Sequence, residues 1–173
     1  DWYAREQGTI WARNWVVAGR LADLAPGSMT KVQVGASSVI LCRTAKGDLS
    51  AFHNLCRHRG AELCSAETQA MGALVTCKYH AWSYAASDGR LVATGHAHPT
   101  DDFRRADHGL IPVAVTVWQG FVFLNLSPTP GPLEPDMGRD FLNNWPMDSL
   151  VTGHRMVTDI ACNWKVFWEN YNE

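Results

Sequence analysis

Two short pairings of cysteine with histidine, Cys56-Arg57-His58 and Cys77-Lys78-Tyr79-His80, do most to limit what this chain can fold into. Each places a soft thiolate and an imidazole on one tight loop. The eighteen residues between the pairs, 59–76, let the two loops fold back and meet around one metal centre. Two thiolates with two imidazoles suit a four-coordinate zinc ion. They also suit a two-iron cluster held unevenly, with both thiolates on one iron and both imidazoles on the other. The residues flanking the four donors carry the distinction.

The run Cys56-Arg57-His58-Arg59-Gly60-Ala61, followed by Cys77-Lys78-Tyr79-His80-Ala81-Trp82, resembles the Rieske [2Fe-2S] fingerprint of ring-hydroxylating-type oxygenases. The resemblance implies that Cys56, His58, Cys77 and His80 hold the cluster. With two thiolates, such a cluster is formally neutral when oxidised and singly negative when reduced. Neutral imidazoles therefore raise its potential above that of an all-thiolate cluster, and hydrogen bonds to the sulfurs tune it further. High-potential Rieske proteins of quinol-oxidising complexes carry an extra cysteine in each loop, joined as a disulfide, and a serine just beyond the second histidine. Those positions hold Ala61, Tyr79 and Trp82 here, which points to the low-potential, oxygenase-feeding end of the class. Gly60 is expected to permit close backbone approach to the cluster, and Trp82 to pack over it and keep water off. Arg57, Arg59 and Lys78 are expected either to form a docking patch for an acidic redox partner or to pair with Glu62 or Glu67.

Composition sets the frame for this centre. A chain of 173 residues, 46% of them hydrophobic, can bury one full domain and part of another. A net charge of -2 gives no basic surplus for nucleic acid. No run approaches the length of a membrane span and no charged-plus-apolar leader opens the chain, so a cytoplasmic protein without a membrane partner is expected. Of the five cysteines, Cys42 and Cys162 lie in apolar strand-like runs and read as small buried hydrophobes, while Cys64 lies in the first ligand loop. The chain begins at Asp1 without methionine and stops at Glu173 within a helical pattern. It is therefore expected to be a segment of something longer.

The organisation reads as mainly β, in antiparallel sheets. Residues 1–14 form an N-terminal helix with Tyr3, Ile10 and Trp11 as its apolar stripe. Residues 15–127 form the Rieske domain: strands over 31–34 and 38–42, a turn at Lys46-Gly47-Asp48, and a strand over 49–54 leading into the first ligand loop. A hairpin turns at Ser87-Asp88-Gly89-Arg90, and a last hairpin crosses Gln119-Gly120. Residues 128–173 combine a linker with the start of a second domain, since four of the eight prolines fall within 127–136. There, 155–162 alternates like a strand, and Asn163 caps a helix whose Trp164, Phe167, Trp168 and Tyr171 are expected to face a core.

That helix extends the resemblance. Asn163-Trp164-Lys165 and Glu169-Asn170-Tyr171-Asn172-Glu173 look like the helix that opens the α+β catalytic domain of Rieske oxygenase large subunits. The resemblance implies that Glu173 bridges a cluster-ligand histidine of a neighbouring subunit to a histidine of a mononuclear non-haem Fe(II), and that Asn170 lines the iron pocket. The ligands of that iron lie outside this chain; His53, His96, His98, His108 and His154 read as surface or hydrogen-bonded histidines. Glutamate in this context resembles the branch that oxidises quaternary ammonium compounds such as glycine betaine, carnitine or choline. The implied enzyme is a trimer that takes electrons from NAD(P)H through a flavin/iron-sulfur reductase or ferredoxin. It activates O2 and hydroxylates a small organic substrate, as a mono- or dioxygenase. An aromatic-ring-hydroxylating dioxygenase, a free-standing Rieske ferredoxin and a structural zinc module are the other readings.

Overall fold

The computed structural model describes residues 1–133 and 144–172. Apolar residues alternate along successive short strands and turn residues separate them, so each strand pairs antiparallel with neighbours laid down by tight turns. Seven strands form one sheet: β1 (Val16–Arg20), β2 (Ser28–Val34), β3 (Ser37–Arg43), β4 (Leu49–His53), β5 (Thr68–Ala70), β9 (Pro112–Trp118) and β10 (Phe121–Asn125). Their order is β1-β10-β9-β4-β3-β2-β5. A second sheet holds β6 (Leu74–Thr76), β7 (Trp82–Ala85) and β8 (Leu91–Thr94), in the order β6-β7-β8. Both expected hairpins are present, and the turn between β9 and β10 puts Gln119 and Gly120 at positive φ.

Strand β3 explains where the core lies. Val39, Ile40, Leu41 and Cys42 are all buried, because a strand covered on both faces needs apolar side chains at every position. Ile40 and Cys42 join Met29, Phe52, Val75, Tyr84 and Leu91 on one side, towards the small sheet. Val39 and Leu41 join Val34, Ala51, Val113, Val122 and Leu124 on the other. Cys42 is sealed in the first cluster, and burial pushes its thiol up to about 12, so it packs as a small hydrophobe as expected.

The N-terminal helix is shorter than residues 1–14. It runs as α1 (Trp2–Glu6), capped by the Asp1 side chain, and continues as a π-type turn over Gln7–Trp11. Much of the expected linker, residues 134–143, lies outside the described residues; further on, the expected strand over 155–162 is absent from the ladders, although its alternation is real. These residues are exposed, and no described strand lies beside them to accept their hydrogen bonds. Cys162 is exposed for the same reason. Helix α2 (Trp164–Tyr171) does start at an Asn163 cap, whose side chain accepts from the Lys165 N–H at 3.0 Å. Its aromatic face is uncovered, however: Phe167, Trp168 and Tyr171 are exposed. Among the described residues no helix is long and apolar enough to cross a membrane.

One buried acid ties the two ends of the chain together. Glu6 accepts a hydrogen bond from Trp164 Nε1 at 3.2 Å and forms an ion pair with Lys165, while Trp11 meets Trp164 edge-on. The Lys165 hydrogen bond holds the Glu6 carboxyl below its ordinary value of 4.5. A carboxyl depressed by folding stabilises the contact above the unfolded value and loses that contribution as pH falls through the folded one. The Trp164 indole N–H resonance should therefore titrate with a midpoint below 4.5, and Glu6→Gln should abolish that titration. A midpoint at or above 4.5 in proton NMR would contradict the contact.

Candidate metal centre

The first donor loop leaves β4 and is held by a residue the sequence did not single out. Buried Asn54 accepts from the N–H groups of Leu63 and Cys64, both at 2.9 Å, and donates to the Cys64 carbonyl at 2.8 Å and to Ser38 Oγ at 3.1 Å. Each buried backbone group it satisfies would cost about 1–3 kcal/mol if left unpaired. The turn closes with Cys56 N–H on the Ala61 carbonyl and Gly60 N–H on the Cys56 carbonyl. Gly60 has φ +72°, and a Cβ there would meet only Leu55 Cδ1, at 3.5 Å. The left-handed backbone at this position favours glycine, and a Cβ there would meet little protein.

The second loop joins β6 to β7. Cys77 N–H donates to the Trp82 carbonyl at 2.8 Å and Ala81 N–H to the Cys77 carbonyl at 3.0 Å, with Ala81 itself left-handed at φ +57°. Behind it, Gly95 follows β8. A Cβ at Gly95 would lie 2.2 Å from the His80 carbonyl oxygen, so only glycine lets the chain back this loop so closely.

The two loops bring all four predicted donors together in two tiers. The Cys56 and Cys77 thiols are near enough to influence each other's ionisation, and both are buried, at 2% exposure. The half-buried His58 and His80 rings lie nearer the surface, with centroids 4.8 Å apart. Among the described residues, no group of three or more His, Cys, Asp or Glu side chains converges as one metal ion would require. His80 Nδ1 is buried without a hydrogen-bond partner among the described residues. Such an orphaned nitrogen is costly, and a metal bond would satisfy it. Two soft donors inside and two borderline ones outside fit the uneven donor set of a dinuclear cluster, with both thiolates on one iron and both imidazoles on the other.

Tyr84 reaches this centre from the floor. Its hydroxyl lies 3.2 Å from Cys56 Sγ and accepts from the Arg57 N–H at 3.0 Å. Burial pushes the Tyr84 phenol well above its ordinary range, so it stays protonated and can donate to sulfur. Burial likewise pushes the Cys56 thiol up, and a thiolate there needs a cation to compensate it. Trp82 is buried and lies flat against His58, with centroids 4.8 Å apart and planes 10° apart. Arg57, Arg59 and Lys78 are exposed around the rim. Glu62 pairs with Lys31, and Glu67 with Arg155, so the acids proposed as alternative partners are engaged elsewhere.

The remaining candidates do not join this centre. Cys64 is buried, with its thiol donating to the Ala66 carbonyl at 3.3 Å. His96, His98 and His154 are exposed, and His53 is half-buried in β4. Asn170 sits on an exposed face of α2, and Glu173 lies outside the described residues. The hydrogen bonds and ion pair of α2 run to Glu6, not to the donor loops. Asn54 and Tyr84 gave no signal in sequence because an Asn after a strand and a Tyr within one are ordinary occurrences.

Fold and donor set together define a Rieske iron-sulfur module. Residues 14–108 match the Rieske [2Fe-2S] domain family, and the chain belongs to it. It is 36% identical to the glycine betaine monooxygenase oxygenase subunit of Chromohalobacter salexigens, over 99% of this chain and 38% of that protein. It is 31% identical to the carnitine monooxygenase oxygenase subunit of Escherichia coli K12, over 99% and 46%. The chain thus spans less than half the length of these relatives. A crystal structure of the quaternary ammonium Rieske monooxygenase CntA superposes with a TM-score of 0.87 at 27% identity, covering 97% of this chain and 50% of that one. Naphthalene 1,2-dioxygenase with indole bound superposes with a TM-score of 0.66 at 29% identity, covering 81% and 31%.

Removing the Tyr84 hydroxyl tests the sulfur contact. A donor to sulfur favours the more negative, reduced state. If roughly 1 kcal/mol of that bond is specific to reduction, Tyr84→Phe lowers the midpoint potential by about 40 mV at 59 mV per factor of ten. Cluster content should be unchanged. A potential equal to that of the parent protein in a mediated titration would show that the contact does not tune the centre.

Proposed function

We propose that this chain is the electron-transfer portion of a Rieske monooxygenase oxygenase subunit, and that the whole protein oxidises a quaternary ammonium compound. The observation that carries the reading is the two-tier donor set, with the Cys56 and Cys77 thiols paired in the core and the His58 and His80 rings paired above them. In this reading Cys56, His58, Cys77 and His80 hold a [2Fe-2S] cluster, which supplies a one-electron carrier that is neutral when oxidised and singly negative when reduced.

The chain's own residues set the terms of that transfer. Tyr84 donates to the inner sulfur, Trp82 keeps water from the outer tier, and the two imidazoles form the short route to the surface. Arg57, Arg59 and Lys78 ring that exit with positive charge, which steers an acidic reductase or ferredoxin to it. The positions that hold a disulfide and a serine in high-potential relatives hold Ala61, Tyr79 and Trp82 here, which supports a low potential.

The substrate class rests on likeness. The relatives above act on glycine betaine and carnitine, and the quaternary ammonium enzyme superposes more closely than the naphthalene one. Hydroxylation of an N-methyl group by O2 leaves a carbinolamine, which collapses to formaldehyde and the demethylated amine. We further propose that residues 128–173 begin a second domain, with Glu173 as the bridging carboxylate and Asn170 at the iron pocket. The exposed Met156, Val157, Trp168 and Tyr171 support this, since so many large apolar side chains exposed along one stretch of chain ordinarily have a partner. A trimer would bring that domain to a neighbour's cluster.

A redox titration followed by electron paramagnetic resonance tests the reading. A one-electron [2Fe-2S] signal of mixed His/Cys type with a midpoint of roughly -150 mV, the low end of the Rieske range, is expected. A midpoint several hundred millivolts higher would point to quinol oxidation. Stoichiometric zinc without sulfide would overturn the reading.

A further inference from the structure

We infer that Phe103 and His108, remote in sequence from both donor loops, are positioning residues that fix His58 through Trp82. This rests on the cluster reading above. His58 is half-buried, and its ring lies flat on the Trp82 indole. The plane of that indole therefore sets the plane of the imidazole, and hence the plane in which its nitrogen lone pairs lie.

Trp82 gets no help from its own polar atom. Its Nε1 is buried without a hydrogen-bond partner among the described residues, so packing alone orients the ring. That packing comes from two rings standing edge-on to it. Phe103 lies at 5.9 Å and 80°, and His108 at 6.0 Å and 71°. The two stack on each other at 4.4 Å and 29°, which makes them one wedge. Edge-to-face contacts of this kind add attraction beyond simple burial, because the positive ring edge meets the negative ring face.

The wedge is anchored away from the donor loops. His108 Nδ1–H donates to the Arg104 carbonyl at 3.0 Å, and Phe103 N–H to the Thr100 carbonyl at 3.0 Å. Arg105 Nη1 ties the same turn to the Val92 carbonyl of β8 at 3.1 Å, and Leu110 N–H ties its far end to the Gly89 carbonyl at 2.8 Å. The second sheet thus holds the outer tier of donors through a column of rings, which parallels the way Asn54 holds the first loop.

Loosening the wedge lets Trp82 and His58 rotate and admits water beside the outer tier. A wetter site favours the charged, reduced state, so the midpoint rises. The experiment uses the cluster-loaded protein with His108→Ala, Phe103→Leu and His108→Phe. For His108→Ala and Phe103→Leu, the reduction equilibrium against a one-electron mediator should shift about threefold towards the reduced form. At 59 mV per factor of ten that is about 28 mV upwards, and the paramagnetic resonance lines should broaden. His108→Phe keeps an aromatic wedge and should match the parent protein. Parent-like potentials and line shapes in all three variants would overturn the inference. So would equal shifts in both His108 variants, since imidazole chemistry and not packing would then be responsible. Absence of any cluster signal in the parent protein would instead defeat the reading on which the inference stands.

Discussion

The burial of Cys56 and Cys77 side by side at the ends of two loops constrains the rest of this molecule. Two sulfur donors can meet in the core only if two polar loops are carried inward, and every backbone group on those loops then needs a partner. Asn54 provides them on the first loop. On the second, the Cys77 and Ala81 amides find theirs within the turn, and Gly95 leaves room for the chain behind. The two sheets follow from the same demand. The large sheet delivers the first loop from β4, the small sheet delivers the second between β6 and β7, and the apolar cluster of Ile40, Phe52, Val75 and Tyr84 locks them together.

The same arrangement separates what must be stable from what must communicate. Thiols, Asn54 and Tyr84 are buried, whereas the imidazoles, Tyr79 and the cationic rim reach the surface. In the proposed role, a redox centre here would keep its charge change in a low-dielectric interior and have a short exit route. Residues 144–172 are tied to the module by a few polar contacts, among them Thr152 to Asp23, Arg155 to Glu67 and Lys165 to Glu6. Their apolar side chains are left largely exposed.

How much could be read from sequence depended on whether the cause was local. The donor pairs, the β3 run, the turn at 87–90 and the Asn163 cap each carry their reason within a few residues, and all appear as expected. The extended run at 155–162 and the aromatic stripe of α2 also carry a local pattern, but a strand needs a neighbour and a stripe needs a core. Neither lies within the described residues, so Cys162 and Trp168 are exposed despite their patterns. Asn54, Tyr84, Phe103 and His108 act across the sheets, and nothing in their immediate sequence distinguishes them. The role of Gly60 was legible as a need for glycine but not as a need for positive φ.

In the proposed cluster, Cys56, His58, Cys77 and His80 hold two inequivalent irons, sulfur-bound inside and nitrogen-bound outside. Mössbauer spectroscopy of the reduced, 57Fe-loaded protein tests it most directly. Two signals of equal area are expected, one ferric with sulfur ligation and one ferrous with the larger isomer shift of an iron that carries nitrogen ligands. A single iron environment, or two that both show all-sulfur ligation, would contradict it.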